Sequence, residues 1–195
     1  MAAERLDPDA ILAAYTQGAF PMTDPDGVTR WYTADPRGVI PLDRFHVPHT
    51  LRRLVAQKRF EIRINGAFER TIRACMLARP DGSWISEPLV QAYVDLHRRR
   101  VAHSVEAWEQ DELVGGLYGV AIGGAFFGES MFHTRSNASK VALVGLVQRL
   151  RERNFLLLDT QASTPHLKRF GCIEIPARQY MRLLSTAISK DRQFD

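Results

Sequence analysis

Between Phe126 and Met131 the chain reads FFGESM, a carboxylate set among aromatic and thioether side chains. Strict alternation along a strand puts Phe127, Glu129 and Met131 on one face and Phe126 on the other. A carboxylate in such company is costly to bury unless it meets a cation or a hydrogen-bond donor. Glu129 therefore suits the holding of an amine inside an apolar pocket; an edge-strand carboxylate facing water or pairing an arginine fits the spacing equally well. Further on, FLLLDTQ reads as a buried strand that delivers Asp159 and Gln161 to its exit, the usual place for catalytic groups in α/β sheets. An aspartate capping the next turn and a glutamine bonding stray backbone groups would look the same. Trp31 and Trp84 stand in polar loops, where stacking on a base competes with ordinary core packing.

The elements that must position these residues are legible from periodicity. Asp7-Pro8 opens a first helix with Ile11, Leu12 and Tyr15 on its apolar face, and Gly18 closes it. Residues 19–38, dense in proline, glycine and aspartate, read as an ordered loop carrying Phe20, Trp31 and Tyr32. A helix follows from Pro48 to Gln57, then a half-exposed strand with Phe60, Ile62 and Ile64 inward. Asn65 is placed to cap a helix with Phe68, Ile72 and Met76 on one face. Arg79-Pro80-Asp81-Gly82 breaks the chain before another helix from Pro88 to Arg100. Strands His103–Trp108, Leu113–Ile122 and Ala125–Phe132 are joined by hairpins at Glu109–Glu112 and Gly123-Gly124. Ser136 or Asn137 then caps a long amphipathic helix, ahead of the strand Phe155–Asp159, a short helix near Ser163–Arg169 and a last one from Pro176 to Ser189. Antiparallel strands followed by a helix and another strand describe an α/β (α+β) mixed sheet. A small N-terminal domain, residues 1–36, is expected to precede a catalytic domain at 37–195.

Composition is that of a globular chain, and no apolar run approaches the ~20 residues that span a bilayer. The polar, acidic N-terminus lacks the basic-then-apolar order of a signal peptide, so a cytoplasmic location without membrane association is expected. Cys75 and Cys172 form no CxxC, and no histidine motif of a metal site appears, so no metal and no cofactor are expected. The net charge of +4 is carried mainly by clustered arginines, among them Arg52-Arg53 and Lys58-Arg59. Clusters of this kind suit a phosphate-rich partner, although solvated helix faces produce them too. There is no GxxxxGK[ST] loop for nucleotide phosphates and no RxxGxG turn for the pyrophosphate of acetyl-CoA.

The segments GAFPM (18–22), WYTADPRGVIPLDRFHV (31–47), SWI (83–85), AHSVEAW (102–108), ELVGGLYGVAIGGAFFGESMF (112–132), NASK (137–140) and LDTQ with the T.HL and G that follow it (158–171) resemble, in order, those of bacterial leucyl/phenylalanyl-tRNA–protein transferases. The resemblance covers nearly the whole chain. It implies a small N-terminal domain and a C-terminal domain built like an N-acetyltransferase. The implied activity is transfer of leucine or phenylalanine from aminoacyl-tRNA (Leu-tRNA, Phe-tRNA) to the N-terminal Lys or Arg of an acceptor protein, which marks that protein for degradation. Carried over by motif, Asp159 and Gln161 are the catalytic pair and Glu129 lies at the aminoacyl α-amino group. Phe126 and Met131 line the side-chain pocket with Leu117, Leu146, Leu150 and Leu158, while Trp84 helps to hold the terminal adenosine. For Phe126 and Met131 both to line it, the strand must be bulged or the pocket must wrap an edge. Arg52, Arg53, Lys58 and Arg59 are the expected tRNA contacts, and the chain is expected to act as a monomer. Met22 stands where the family often has tryptophan, and the pocket's helix side offers leucines where aromatics are common. Two other readings remain open on the residues alone: an acyl-CoA-dependent N-acyltransferase of the same fold, and a non-catalytic tRNA-binding module.

Overall fold

The computed structural model describes residues 6–79 and 82–195. Its centre is a seven-stranded sheet in the order β4-β5-β6-β7-β8-β3-β9, formed by Glu61–Ile64, Ala102–Glu109, Glu112–Ile122, Ala125–His133, Leu157–Gln161, Arg37–Ile40 and Ile173–Ile175. Every neighbouring pair is antiparallel except β7 and β8, which run parallel because the helix α5 (Ala138–Glu152) carries the chain back between them. This is the mixed α/β architecture that the sequence pattern and the resemblance both imply.

Helices cover both faces of the sheet. On one side Ile11 and Tyr15 of α1 (Pro8–Thr16), Ile72 of α3 (Phe68–Leu77), Tyr93 of α4 (Glu87–Arg98) and Leu184 of α7 (Ala177–Ile188) pack on Tyr118, Val120 and Phe127. On the other, Leu51 of α2 (His49–Ala56) and the buried row Val141, Val144, Val147 and Leu150 of α5 pack on Val105, Leu117, Phe126 and Leu158. The sheet therefore separates two apolar layers, and α1 belongs to the first of them. Among the described residues no helix is long and apolar enough to cross a membrane, and no cluster of His, Cys, Asp or Glu is placed to hold a metal ion.

Three local expectations are revised. Residues 19–38 are not a loop: Phe20–Thr23 and Thr29–Tyr32 pair as a hairpin, β1 and β2, and Arg37–Ile40 joins the main sheet as β3. Four-residue strands show too little alternation to announce themselves, and the same brevity hides β9. Trp31 on this hairpin is 45% exposed and does not join the core. Asn65 does not cap α3: it adopts a left-handed φ of 58°, and its side chain holds Ser104 N–H and the His103 ring. The N-terminus of α3 instead takes the buried carboxylate of Glu106, which accepts from Gly66 N–H and Ala67 N–H at 3.1 and 2.9 Å. Asn137, at the start of α5, likewise makes no side-chain cap and instead receives Lys140 Nζ on its Oδ1. The short helix α6 (Pro165–Lys168) is capped by Thr164, whose hydroxyl accepts from Leu167 N–H. The centre of the expected break at Arg79–Gly82 lies outside the described residues.

Candidate active site

The parallel pairing of β7 and β8 runs only to Phe127 and Asp159. Beyond that point each strand carries a register shift. On β7, Gly128 faces Gly119 and Ser130 faces Tyr118, so Glu129 is the extra, bulged residue. On β8, Asp159 faces Val39 and Gln161 faces Gly38, which leaves Thr160 as the extra one. The two strands part at these bulges, and a cavity of about 250 Å³ lies in the gap. Leu117, Met131, Leu143, Leu146, Leu158 and Leu167 form its apolar walls. Glu129, Gln161, Thr160, Tyr118, Ser130, Arg79, Thr164 and His166 supply the polar ones.

The bulge answers the alternation problem posed by FFGESM. Upstream of it Phe126 faces the α5 layer while Phe127 packs on Tyr15 in the opposite layer, with ring centroids 4.7 Å apart. Downstream of it Met131 returns to the α5 layer and lines the cavity. Phe126 and Met131 thus share a side of the sheet despite their odd spacing. Phe126 itself is fully buried among the α5-layer side chains and stacks on Phe194 rather than on the cavity. Leu150 is buried in the same layer, also behind the wall. Leu143, and Leu167 of the T.HL segment, neither of them among the expected lining residues, do line it.

Glu129 and Gln161 meet at the cavity's polar end, where Gln161 Nε2 donates to Glu129 Oε1 at 2.9 Å. Tyr93 Oη donates to the other carboxylate oxygen at 3.3 Å and lies 2.6 Å from the Tyr15 hydroxyl. Burial pushes the Glu129 carboxyl up to about 7, against the hydrogen bonds of Tyr15 and Tyr93, and the nearby negative charge of Asp159 adds to the rise. Burial first, and Glu129 second, hold both tyrosines well above their ordinary value, so they serve as donors throughout the physiological range. The result is a carboxylate near its titration midpoint at neutral pH, in contact with a cavity sized for an aliphatic or aromatic side chain. That balance favours the charged form as soon as a cation arrives.

Asp159 does not reach the cavity. It is fully buried beneath Gln161 and receives four donors: Arg37 Nε and Nη2 at 3.0 and 2.7 Å, Tyr180 Oη at 2.7 Å and Gln161 N–H at 2.8 Å. Burial works against the Arg37 charge, but the Asp159 carboxylate outweighs it and the guanidinium is held above its ordinary value. Tyr180 is pushed upward by burial and by Asp159. Gln161 sits at φ 54°, a left-handed conformation that costs a non-glycine residue about 1–3 kcal/mol. Strain of this kind persists only where surrounding bonds fix it, and the Asp159 bond to its N–H is such a bond.

The remaining expected residues lie around this centre. Trp84 is half-buried and faces the Arg79 guanidinium at 5.9 Å from ring centroid to Cζ; Arg79 in turn lines the cavity. Arg52, Arg53 and Lys58 are exposed on and beside α2, while Arg59 pairs with Glu109 and covers the Phe60 ring. Arg37, Tyr180, Tyr15 and Tyr93 are the site residues that periodicity does not find. Tyr15 registers in the pattern only as an apolar position, and Arg37 is separated from Asp159 by 122 residues.

Residues 39–185 match the family model described as leucyl/phenylalanyl-tRNA protein transferase, and residues 4–35 match the N-terminal domain of the same family. A protein of Akkermansia muciniphila named leucyl/phenylalanyl-tRNA–protein transferase is 52% identical over 190 residues, covering 96% of this chain and 98% of its own. One of that name from Rubrobacter xylanophilus is 51% identical over 191 residues, covering 97% and 99%. Among solved structures, that of L-PGS from Bacillus licheniformis superposes with a TM-score of 0.53 over 97% of this chain and 99% of its own. Its 9% identity makes this a likeness of fold alone.

Proposed function

The chain belongs to the leucyl/phenylalanyl-tRNA protein transferase family, and on that premise we propose how its cavity carries out the transfer. The enzyme moves leucine or phenylalanine from aminoacyl-tRNA to an acceptor protein, making an amide at the expense of an ester. The aminoacyl side chain occupies the apolar walls of Leu117, Met131, Leu146 and Leu158. Its α-ammonium group meets Glu129, and its carbonyl lies beside Gln161. The observation that carries this reading is the 2.9 Å bond between Gln161 and Glu129 in the lining of a cavity walled on its apolar part by Leu117, Met131, Leu146 and Leu158. On this reading the anion and the amide meet the amino acid's polar end.

The ester is already activated, so alignment is the main requirement. The acceptor is the free N-terminus of a protein, with lysine or arginine as first residue. Its α-amine, with an ordinary pKa around 7.7–8.0, is partly neutral where a lysine side chain is not. The amine nitrogen bonds to the carbonyl carbon, the ester carbon–oxygen bond breaks, and the ribose oxygen leaves with a proton. Gln161 donates through Nε2 to Glu129, which leaves its amide oxygen to accept from the incoming amine. An amide is too weak a base to take the proton, so Gln161 orients the nucleophile and the ribose hydroxyl or water carries the proton across. Asp159 acts from beneath by holding Gln161. The product, bearing a new N-terminal leucine or phenylalanine, is a degradation signal. Trp84 contacts the terminal adenosine, Arg52 and Arg53 meet the tRNA backbone, and a division of the chain near Asp35-Pro36 separates a small N-terminal domain from the catalytic one. The protein works as a monomer in the cytoplasm.

The test is transfer of labelled leucine from leucyl-tRNA to a protein beginning with arginine, with leucyl-CoA as control donor. Asp159→Ala and Gln161→Ala are expected to lower turnover far more than aminoacyl-tRNA affinity. Equal losses in both, or transfer from leucyl-CoA, would contradict the assignment.

A further inference from the structure

The geometry points to Arg37 and Tyr180 as positioning residues for the transfer: together they fix Asp159, and through it the backbone turn that presents Gln161 to the cavity. This rests on the proposed role of Gln161 and extends the machinery to two residues outside the D-x-Q motif, on β3 and α7.

Arg37 is 1% exposed and is held on every side. Its guanidinium lies between the rings of Phe20 and Tyr180, at 5.0 and 4.5 Å from their centroids. Two nitrogens fork onto Asp159, and the third donates to the Gly18 carbonyl oxygen at 2.8 Å. One side chain thereby joins the residue that ends α1, the hairpin, the catalytic strand and α7. Asp159 Oδ2 is filled by Arg37 and Tyr180, and Oδ1 is shared between Arg37 and Gln161 N–H. A bidentate fork sets the plane of a carboxylate as a single cation does not. With Tyr180 added, the carboxylate has no freedom to pivot, and the position of Oδ1 dictates where Gln161 N–H must lie.

The residue after Arg37 completes the arrangement. A side chain at Gly38 would place its Cβ 2.5 Å from the Ala162 carbonyl carbon and 2.7 Å from Ser163 N. The chain leaving Gln161 is pressed directly against β3, and the left-handed turn at Gln161 follows from that contact and from the Asp159 bond together. A buried ion pair gives little net stability compared with apolar packing of the same volume. What it supplies here is direction. Loosening the carboxylate lets Gln161 relax toward an extended conformation, which carries its amide away from Glu129.

Kinetics on the full-length enzyme with leucyl-tRNA and an acceptor beginning with arginine test this. Arg37→Lys keeps the charge and loses the fork; it is expected to lower kcat by roughly a hundredfold, the scale of an ångström-level misplacement. Tyr180→Phe removes one hydroxyl and should lower kcat roughly tenfold. In both, KM for leucyl-tRNA should stay within about twofold, because the pocket walls and the tRNA-facing arginines are untouched. In Arg37→Ala, added methylguanidinium should restore kcat and methylammonium should not, a readout that a purely structural role would leave unmoved. If Arg37→Lys does not fold, Tyr180→Phe decides. Unchanged kcat in Tyr180→Phe, or equal changes in kcat and KM in the folded variants, overturns the inference. Gln161→Ala separates the two levels: if it stays fully active the reading of Gln161 fails, and if it alone is impaired only the positioning role fails.

Discussion

Replacing Glu129 by glutamine should make the protein more stable in alkali and less able to hold its donor, and the size of both effects follows from its surroundings. Burial raises the Glu129 carboxyl from 4.5 to about 7. A folded-state value above the unfolded one means the native protein binds the proton more tightly. The stability this provides is fully present below about pH 4.5 and is lost as pH rises through about 7. Because Glu129 is half-buried at the cavity wall, that rise corresponds to at most about 3 kcal/mol between the two limits. Glu129→Gln preserves shape and the bond from Gln161 but cannot ionise, so its stability relative to wild type should climb by up to that amount between pH 4.5 and 8. For a chain of this length each kcal/mol moves the melting temperature by roughly 2–4 °C. All other titrating groups are common to both proteins and cancel in the difference.

The same carboxylate sets donor binding. A leucyl-adenosine analogue with an unreactive amide in place of the ester should bind wild type about fivefold more weakly at pH 6 than at pH 7, since with a midpoint of about 7 the ionised fraction of Glu129 falls from about a half to about a tenth. An analogue lacking the α-amine should bind with no such dependence, and Glu129→Gln should remove it for the amine-bearing analogue. Paired melts from pH 5 to 8.5 and calorimetric titrations provide the measurements. A stability difference that stays flat across that range would refute the buried-carboxylate account. Amine-independent binding would refute the placement of the α-ammonium group at Glu129.

Two further outcomes test the scaffold and the surface. Gly119→Ala sets a Cβ 2.2 Å from the Phe127 carbonyl oxygen and 2.5 Å from the Phe126 ring, where backbone must move, so its unfolding free energy in denaturant titration should fall by at least the ~1–3 kcal/mol of ordinary overpacking. Because Gly119 lies opposite the Glu129 bulge, transfer activity should fall with it. Arg52→Ala combined with Arg53→Ala should weaken leucyl-tRNA binding and flatten its salt dependence by roughly 0.7–0.9 in log–log slope for each phosphate left without its cation. Turnover of a minimal leucyl-adenosine donor ester should not change; an unaltered salt slope would remove these arginines from the tRNA interface.

The hairpins from Ala102 to His133 are legible in the sequence because alternation and turn chemistry act locally, over two residues and over four. The long helix α5 is legible for the same reason at its own period. β3 and β9 are not, since strands of four and three residues owe their existence to partners far along the chain. The site divides along the same line. Glu129, Asp159 and Gln161 stand out as polar residues in apolar strands. Nothing in FFGESM distinguishes a regular strand from a bulged one, because the bulge is settled across the sheet, where Gly119 admits the Phe126 ring and the Phe127 carbonyl at close range. The partner of Asp159 is equally hidden, for an arginine after a proline has no local pattern that ties it to a carboxylate 122 residues later.

These hidden features share a cause. Regular pairing between β7 and β8 would bury Glu129 and Gln161 in a ladder and leave no cavity. The cavity exists because pairing stops at Phe127 and Asp159, and each strand then takes an extra residue. Ending a ladder inside a core strands polar groups unless other donors reach them. Here the replacements are side chains: the tyrosines on Glu129, Gln161 bridging to it, and Arg37 with Tyr180 on Asp159. The groups that satisfy the broken ladder are therefore the groups that aim the chemistry. Removing any one of them should impair transfer and local order together, in proportion to how many donors the exposed carboxylate loses.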